Sequence, residues 1–241
     1  MKTFISLTAS ILLTASAGVI LSSCLNDDQG YSLDDMWMSI ATARPIDDST
    51  FYLTLDDSTS LWPAAPEHIY YRPDRIQRVQ INYTVLGDNF QGYDHAIKLN
   101  RIDTILTKTL APDMAEDNDS IYGNDPIEVS DLWIGDGFLN VLFKAYFGGN
   151  IKHHVNLIPA PAADNTFDVE FRHNAFNDSS SRLQYGIVAF DLSEVSTDVK
   201  DGTITIRVNT FDGVQEIKKK YNTNMSRQEL SIDFISLDKM K

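Results

Sequence analysis

Three histidines lie close together in the sequence and could bind a metal ion. His153 and His154 are adjacent, and His173 follows twenty residues later. Neighbouring residues on a strand point to opposite faces, so His153 and His154 cannot bind the same ion. If 151–158 paired with 167–174, one register of the two strands would bring His153 opposite His173. Two histidines fall short of a structural zinc site. We predict no metal or other cofactor, keep His153 and His173 as minor metal candidates, and interpret them as hydrogen-bonding residues at the end of a core.

Residues for nucleophilic or acid–base catalysis do not form a recognisable motif. The chain has one cysteine and no G-x-S-x-G sequence, which would mark a serine nucleophile. A glycosidase needs two carboxylates about 5–9.5 Å apart, and 34 acidic residues offer many pairs without singling one out. Asp168 and Glu170 share one face of a predicted strand, which fits a solvated face. We predict that the protein is not an enzyme; the alternative is an envelope glycan hydrolase whose carboxylates are brought together by the fold.

The acidic stretch "DNDSIYGND" at 117–125 begins like a calcium-binding loop. Ile121 and Tyr122 occupy its fifth and sixth positions, where an EF-hand needs an oxygen ligand and then a glycine. We therefore interpret the stretch as part of a solvated linker.

The only cysteine, Cys24, predicts where in the cell the protein is located. It follows Lys2, an uncharged apolar segment over 5–20 that is too short for a membrane span, and the small residues Ser22 and Ser23. Leu21-Ser22-Ser23-Cys24 resembles a bacterial lipobox, in which the cysteine sulfur is joined to diacylglycerol and the chain is cut before it. We predict a signal peptide over 1–23, lipidation at Cys24, and no internal disulfide.

Acidic residues follow the predicted lipidation site and dominate the whole chain. Residues 24–35 read as an acidic tether; Asp27 and Asp28 resemble a tag that exports lipoproteins to the cell surface, or are simply solvated. The formal net charge is −14, which argues against nucleic acid as a partner because phosphates require a basic face. The prediction is a lipid-anchored outer-membrane protein, with cell-surface exposure left open.

Alternation of apolar and polar residues predicts an all-β protein. Residues 36–41, 51–55, 79–85 and 96–106 alternate with period 2, with one slip near Arg101 that suggests a bulge. After the linker, seven or eight further short strands run to 230–234 and indicate an antiparallel sandwich. Asp212-Gly213 predicts a hairpin with a type I′ turn. The predicted domains are 36–110 and 126–238, separated by an acidic linker over 111–125.

Several stretches of the chain resemble the NigD-like lipoproteins. They are the lipobox at Cys24, "LWIGDGFLNVLF" at 132–143, "KHHVNLI" at 152–158, "VEFRHNAFND" at 169–178 and "YGIVAFDLS" at 185–193. The resemblance implies an N-terminal OB-type barrel followed by a C-terminal β-sandwich. It also implies an association with bacteriocin immunity, through the founding member's operon, and supplies no catalytic residues.

Aromatic residues at 61–75 are the candidate contacts for a partner. Trp62, Tyr70 and Tyr71 lie in a proline-punctuated segment of the predicted barrel, and OB folds bind oligosaccharides or oligonucleotides through such loops. These aromatics bind a partner or cap the open end of the barrel. The functional hypothesis is a monomeric, non-enzymatic interaction module, anchored to the membrane through Cys24 and binding an unidentified protein or glycan.

Overall fold

The computed structural model describes residues 31–66, 70–160, 166–193 and 202–221. Cys24, the signal segment 1–23, the first part of the tether and the predicted strand at 230–234 lie outside these described residues. Within them, no helix has the length and apolar character needed to cross a membrane.

The N-terminal strands close into a five-stranded barrel. Its strands are β1 (Trp37–Pro45), β2 (Phe51–Leu55), β3 (Ser60–Ala65), β4 (Gln77–Phe90) and β5 (Tyr93–Thr104). They pair in the order β1-β2-β3-β5-β4, and β3–β5 is the parallel pair in a barrel whose other pairs are antiparallel. Alternate residues of these strands face inward because side chains change face at every residue. The barrel core contains Ala41, Phe51, Leu53, Leu61, Val79, Ile81, Tyr83, Ile97 and Leu99.

The predicted bulge near Arg101 is confirmed. Asn82 pairs with Arg101 while the next residue, Tyr83, pairs with Leu99, so Asn100 is the extra residue. The side-chain amide of Asn100 donates to Asn82 Oδ1 at 2.9 Å. This hydrogen bond links the bulged residue of β5 to the neighbouring strand β4.

The C-terminal strands form two packed four-stranded sheets. The strands are β6 (Leu106–Lys108), β7 (Glu128–Gly135), β8 (Phe138–Tyr146), β9 (His154–Ala160), β10 (Thr166–Asn174), β11 (Leu183–Asp191), β12 (Gly202–Thr210) and β13 (Gly213–Tyr221). One sheet has the order β13-β12-β10-β9 and the other β6-β11-β8-β7. The β10–β12 and β6–β11 pairs are parallel and the others antiparallel. The all-β prediction, an OB-type barrel followed by a β-sandwich, is confirmed. The two parallel pairs make the sandwich mixed, however, and not antiparallel throughout as predicted.

The predicted hairpin at Asp212-Gly213 forms, but its turn differs from the prediction. Thr210 pairs with Gly213, so Phe211 and Asp212 are the central residues. Of the three residues after Thr210, only Gly213 has a positive φ, at 102°. The prediction of a type I′ turn was therefore wrong. The backbone reaches the left-handed region once, at the glycine that follows the two central residues.

The predicted linker over 111–125 holds a 3₁₀ turn at Ala115–Asp117 and a single helical turn, α1 (Asn118–Tyr122). Beyond α1 the chain packs against β10. A side-chain Cβ on Gly123 would lie 2.6 Å from Cβ of Asn174, and the Asp125 amide donates to the carbonyl of His173 at 2.8 Å. The position of the domain boundary stays a prediction.

A buried polar network joins the barrel to the sandwich. Arg78 of β4 is fully buried and forms an ion pair with Asp56. Its guanidinium also donates to Thr42 Oγ1 at 2.9 Å and to Asn140 Oδ1 at 3.2 Å, while the indole of Trp133 donates to Asp56 Oδ2 at 2.9 Å. Asn140 and Trp133 belong to the sandwich, so this network makes the two domains one packed body.

Two further contacts lie at the junction between the domains. Arg44 of β1 donates to both carboxylate oxygens of Asp136 in the β7–β8 turn, at 2.9 and 2.8 Å. Gly135 packs against Asp56 so closely that a Cβ would lie 2.2 Å from its Cγ. A small apolar cluster surrounds these groups and comprises Ile40, Ile105, Trp133, Phe138 and Ala189.

Cutting the predicted linker tests both the boundary and the junction. We insert a specific protease site between Met114 and Ala115 and cleave the folded protein. The two fragments should stay together in gel filtration with unchanged circular dichroism. The buried network and the β6–β11 pairing join residues of one fragment to residues of the other, and the cut leaves them intact. The same insertion between Asp136 and Gly137 is the control and should disrupt the junction. Aggregation or separation after the first cut would contradict the prediction.

Candidate functional site: an aromatic cluster on the barrel

The structure places Trp62 in a cluster of three aromatic rings on the barrel. The ring centroids of Trp62 and Tyr93 are 5.1 Å apart, and those of Tyr93 and Tyr52 are 5.4 Å apart. The three residues come from β3, β5 and β2, and each is half-buried. We call Tyr52, Trp62 and Tyr93 the aromatic cluster.

Strand alternation puts two of these rings outside the barrel. Phe51 and Leu53 of β2 are buried in the core, so Tyr52 between them points outward. Leu61 of β3 pairs with Leu53 and is fully buried, which turns Trp62 to the outer face. The cluster is thus built on strands and not on loops, and its rings have fixed positions.

The aromatic cluster lies beside the junction of the two domains. Tyr52 pairs with Arg44 across β1 and β2. Arg44 in turn holds Asp136 of the sandwich and donates from Nε to Thr54 Oγ1 at 3.2 Å. The aromatic rings therefore lie next to an ion pair that joins the two domains.

The other two predicted contact residues do not join the cluster. Tyr71 packs on Phe51 with ring centroids 5.3 Å apart and belongs to the edge of the barrel core. Its hydroxyl is buried and has no hydrogen-bond partner among the residues that the structure describes. Burial, with a smaller contribution from Asp74, raises the pKa of Tyr71 to about 12. Tyr70 is 98% exposed. The capping interpretation thus fits Tyr71, whereas Tyr70 projects into solvent.

An open cavity of about 490 Å³ near the start of β5 gathers acidic residues. Asp57, Asp88, Asp94 and His95 are among the residues that line it. Hydrogen bonds lower the pKa of both Asp88 and Asp94: the hydroxyl of Tyr31 is the main cause for Asp88, and Ser60 is the main cause for Asp94. A glycosidase needs one carboxylic acid with a raised pKa as proton donor. These two carboxyl groups are shifted in the opposite direction.

His153 and His173 come together in the sandwich, but not in the predicted register. Val155 lies opposite His173, and His153 reaches the ring of His173 diagonally, with Nδ1 3.0 Å from Nε2. Nε2 of His153 lies 3.2 Å from Asp178 Oδ2. Burial, and next the nearby His153, lower the pKa of His173.

Both ring nitrogens of His153 are engaged in this chain of contacts, so the two histidines do not converge on a common point. Among the residues that the structure describes, no group of three His, Cys, Asp or Glu side chains is arranged to hold a metal ion. The contacts link the loop after β8 to β10 and to the loop that follows it.

Sequence reasoning missed Tyr52 and Tyr93. Tyr52 had a usable signal, since it alternates with two core residues of a short strand. Tyr93 had none, because its contact with Trp62 depends on the parallel pairing of β3 with β5.

Two sequence models of one family match this chain. The model of the NigD-like N-terminal OB domain matches residues 40–105, and that of the NigD-like C-terminal beta sandwich domain matches residues 109–221. No curated protein matches the chain.

Three crystal structures are similar to the chain. A protein of Parabacteroides distasonis, provisionally named toxin-related, is 42% identical with a TM-score of 0.70, covering 79% of this chain and 95% of its own. A Bacteroides vulgatus protein of unknown function is 26% identical with a TM-score of 0.65, covering 85% and 98%. A NigD-like immunity protein of Bacteroides caccae is 18% identical with a TM-score of 0.57, covering 78% and 94%, and shares the fold.

Proposed function

The chain belongs to the NigD-like family, and we propose that it is a lipid-anchored protein of the cell envelope that binds a macromolecule without catalysing a reaction. The anchor is Cys24, which follows the signal segment 1–23. The outer membrane is the proposed location, and the chain acts there as a monomer.

The observation that carries the proposal is the aromatic cluster. Aromatic side chains at a surface give a large contact area at a small cost in side-chain entropy, and they dominate the binding energy of many interfaces. Here three rings from separate strands are held in mutual contact and left half-exposed. The neighbouring Arg44–Asp136 pair adds polar groups fixed by both domains.

A glycan hydrolase is the rival function. The cavity lined by Asp88 and Asp94 is where it would act. Hydrogen bonds lower the pKa of each of these carboxyl groups, whereas the acid catalyst of glycoside hydrolysis needs a raised pKa.

Immunity against a bacteriocin is the narrower form of the proposal. It draws on the family and on the 42% identical relative, which is provisionally named toxin-related. In this form the anchored protein intercepts a toxin at the envelope. Expression of the chain in a sensitive strain should then raise survival, and the Trp62→Ala variant should not.

Replacing Trp62 with alanine tests the binding surface. We expect partner binding to weaken about 30-fold, because loss of a central interface tryptophan costs about 2 kcal/mol. The protein is crosslinked in intact cells, and both envelope proteins and envelope polysaccharide are measured in the recovered material. Tyr70→Ala is the matched control: it removes an aromatic ring that is 98% exposed and outside the cluster. Equal recovery with both variants would contradict the surface, and polysaccharide turnover without a recovered partner would contradict the function.

A further inference from the structure

Two imidazole rings of the sandwich lie in one line of contacts between a carbonyl and a carboxylate. Nδ1 of His173 is 3.3 Å from the carbonyl oxygen of Asp125, and Nε2 of His173 is 3.0 Å from Nδ1 of His153. Nε2 of His153 is 3.2 Å from Oδ2 of Asp178. We call these four groups, Asp125, His173, His153 and Asp178, the histidine chain.

The histidine chain joins four parts of the sandwich that are separate in sequence. His173 belongs to β10, and His153 is the last residue of the loop 147–153 between β8 and β9. Asp178 lies in the loop after β10, and Asp125 lies in the segment before β7. The contact between the two rings is therefore the side-chain attachment of the loop 147–153 to β10.

Backbone hydrogen bonds hold both ends of the histidine chain in place. The carboxylate of Asp178 accepts from the amides of Gly148 and Ser180 at 2.7 and 3.0 Å. These amides, that of Gly148 first, lower the pKa of Asp178. At the other end, the carboxylate of Asp125 accepts from the amide of Ala175 at 2.7 Å. The two ends are thus fixed acceptors.

The three contacts of the histidine chain need three hydrogens. A carbonyl oxygen and an ionised carboxylate only accept, so His173 must donate through Nδ1 and His153 through Nε2. The contact between the rings needs one further hydrogen, on one of the two facing nitrogens. Two neutral imidazoles carry two hydrogens on nitrogen, whereas a pair with one positive charge carries three. The chain is therefore complete when the two rings hold a single positive charge.

The surroundings of the two rings place that charge on His153. His173 is only 2% exposed, and burial, followed by the neighbouring His153, lowers the pKa of His173. The carbonyl and the charge of Asp125 act in the opposite direction and contribute less. His153 in contrast faces the carboxylate of Asp178. In the complete chain His173 is neutral, with its hydrogen on Nδ1, and His153 donates from both nitrogens.

The other groups packed on the two rings are aromatic. The ring of Phe147 lies edge-on to His153 at a centroid distance of 4.9 Å, and Phe143 lies 6.2 Å from His173. Further charged or titratable side chains on the same elements either form ion pairs of their own, as Lys144 and Arg172 do, or are exposed. The exposed ones are Lys152, His154 and Arg182.

We propose that the histidine chain is an acid-sensitive clamp, which holds the loop 147–153 on β10 and opens when a second proton enters the histidine pair. With four hydrogens, the facing nitrogens of His153 and His173 both carry one, and an N–H then points at an N–H across 3.0 Å. Two like charges at this distance repel one another. The loop thereby loses its side-chain attachment to β10. This device uses neither the aromatic cluster nor the lipid anchor.

Acid should destabilise the protein through this pair. An unfolded chain binds a proton at the usual histidine pKa of about 6.5, whereas the folded chain, in which the pKa of His173 is lowered, binds it only at a lower pH. The stability that comes from neutral His173 is therefore fully present above about pH 6.5 and is lost as the pH falls below that value. Acidification thus favours the open and unfolded forms.

Thermal unfolding of the full-length chain at about pH 7.5 and about pH 4.5 tests the clamp. The wild-type midpoint should fall by about 3 °C more than that of His173→Gln, because a neutral amide takes up no proton. His154→Gln is the matched control: it removes an adjacent histidine whose ring packs on Phe176, outside the histidine chain. Its midpoint should follow that of the wild type.

Two measurements on the wild-type chain test the geometry directly. Nitrogen NMR of its histidines at about pH 7.5 should find the hydrogen of His173 on Nδ1 and none on Nε2. Hydrogen exchange should show the amides of Phe147 and Gly148, which donate to Arg182 and Asp178, losing protection about tenfold at the lower pH, relative to the intrinsic exchange rate at each pH. In His173→Gln this loss should be absent.

Three results would overturn the proposal. They are a hydrogen on Nε2 of His173 at the higher pH, an equal fall of the midpoint in the wild type and His173→Gln, and wild-type loop amides whose protection acid leaves unchanged. The NMR and exchange measurements on the wild type do not depend on the folding of any variant.

Discussion

Replacing Asp56 with alanine should lower the free energy of unfolding by about 3–5 kcal/mol, because it removes the carboxylate that forms an ion pair with the buried guanidinium of Arg78. Arg78 is completely buried and Asp56 nearly so, and the indole of Trp133 would lose its acceptor as well. Most single domains are only about 5–15 kcal/mol stable, so this loss is a large fraction of the total free energy of unfolding. Urea denaturation followed by tryptophan fluorescence measures the change.

Two controls separate the buried charge from a general effect of losing an acid. Glu216→Ala removes one member of the exposed pair with Arg207 on β12 and β13 and should change stability by less than about 1 kcal/mol. Asp56→Leu combined with Arg78→Met removes both charges and should cost less than the two single replacements added together. A loss below 1 kcal/mol for Asp56→Ala would contradict the role assigned to the network.

Replacing Cys24 with alanine should release the protein completely from the membrane fraction. Each buried acyl methylene contributes about 0.8 kcal/mol, and stable anchoring takes more than one acyl chain, which the lipidated cysteine of a lipoprotein provides. Labelling cells with a fatty-acid analogue should tag the wild-type chain and leave the variant unlabelled. Cell fractionation should then find the variant among soluble proteins.

Ser22→Ala is the matched control for the anchor, since it changes a neighbouring small residue and keeps the thiol. It should be labelled and should sediment with the membrane like the wild type. Equal labelling of the Cys24→Ala variant would remove the anchor from the proposed function. The aromatic cluster would be unaffected by that result, because it depends on residues of the folded barrel.

Local patterns were sufficient to predict the strands and the class of fold. An apolar residue at every second position marks a strand with one buried face whatever the rest of the chain does. For that reason residues 51–55 and 79–85 appear as predicted, and even the irregularity near Arg101 left a signal as a slip in the alternation. The position of Cys24 after an apolar segment is a local pattern of the same kind.

Tertiary structure decided which outer faces are covered. Arg78 and Gln80 alternate with core residues of β4 and would be assigned to solvent, yet both are buried. Thr42, on the outer face of β1, is buried too and accepts a hydrogen bond from Arg78. The sequence of a strand distinguishes its two faces, but only the docking of another domain decides whether the polar face meets water.

The same distinction separates the predicted contact residues from the observed clusters. The sequence placed Trp62, Tyr70 and Tyr71 together because they are neighbours along the chain, whereas the fold joins Trp62 to Tyr52 and Tyr93. The alternation within each strand was determined locally by the sequence. The aromatic cluster arose from pairings between distant strands, which local alternation does not specify.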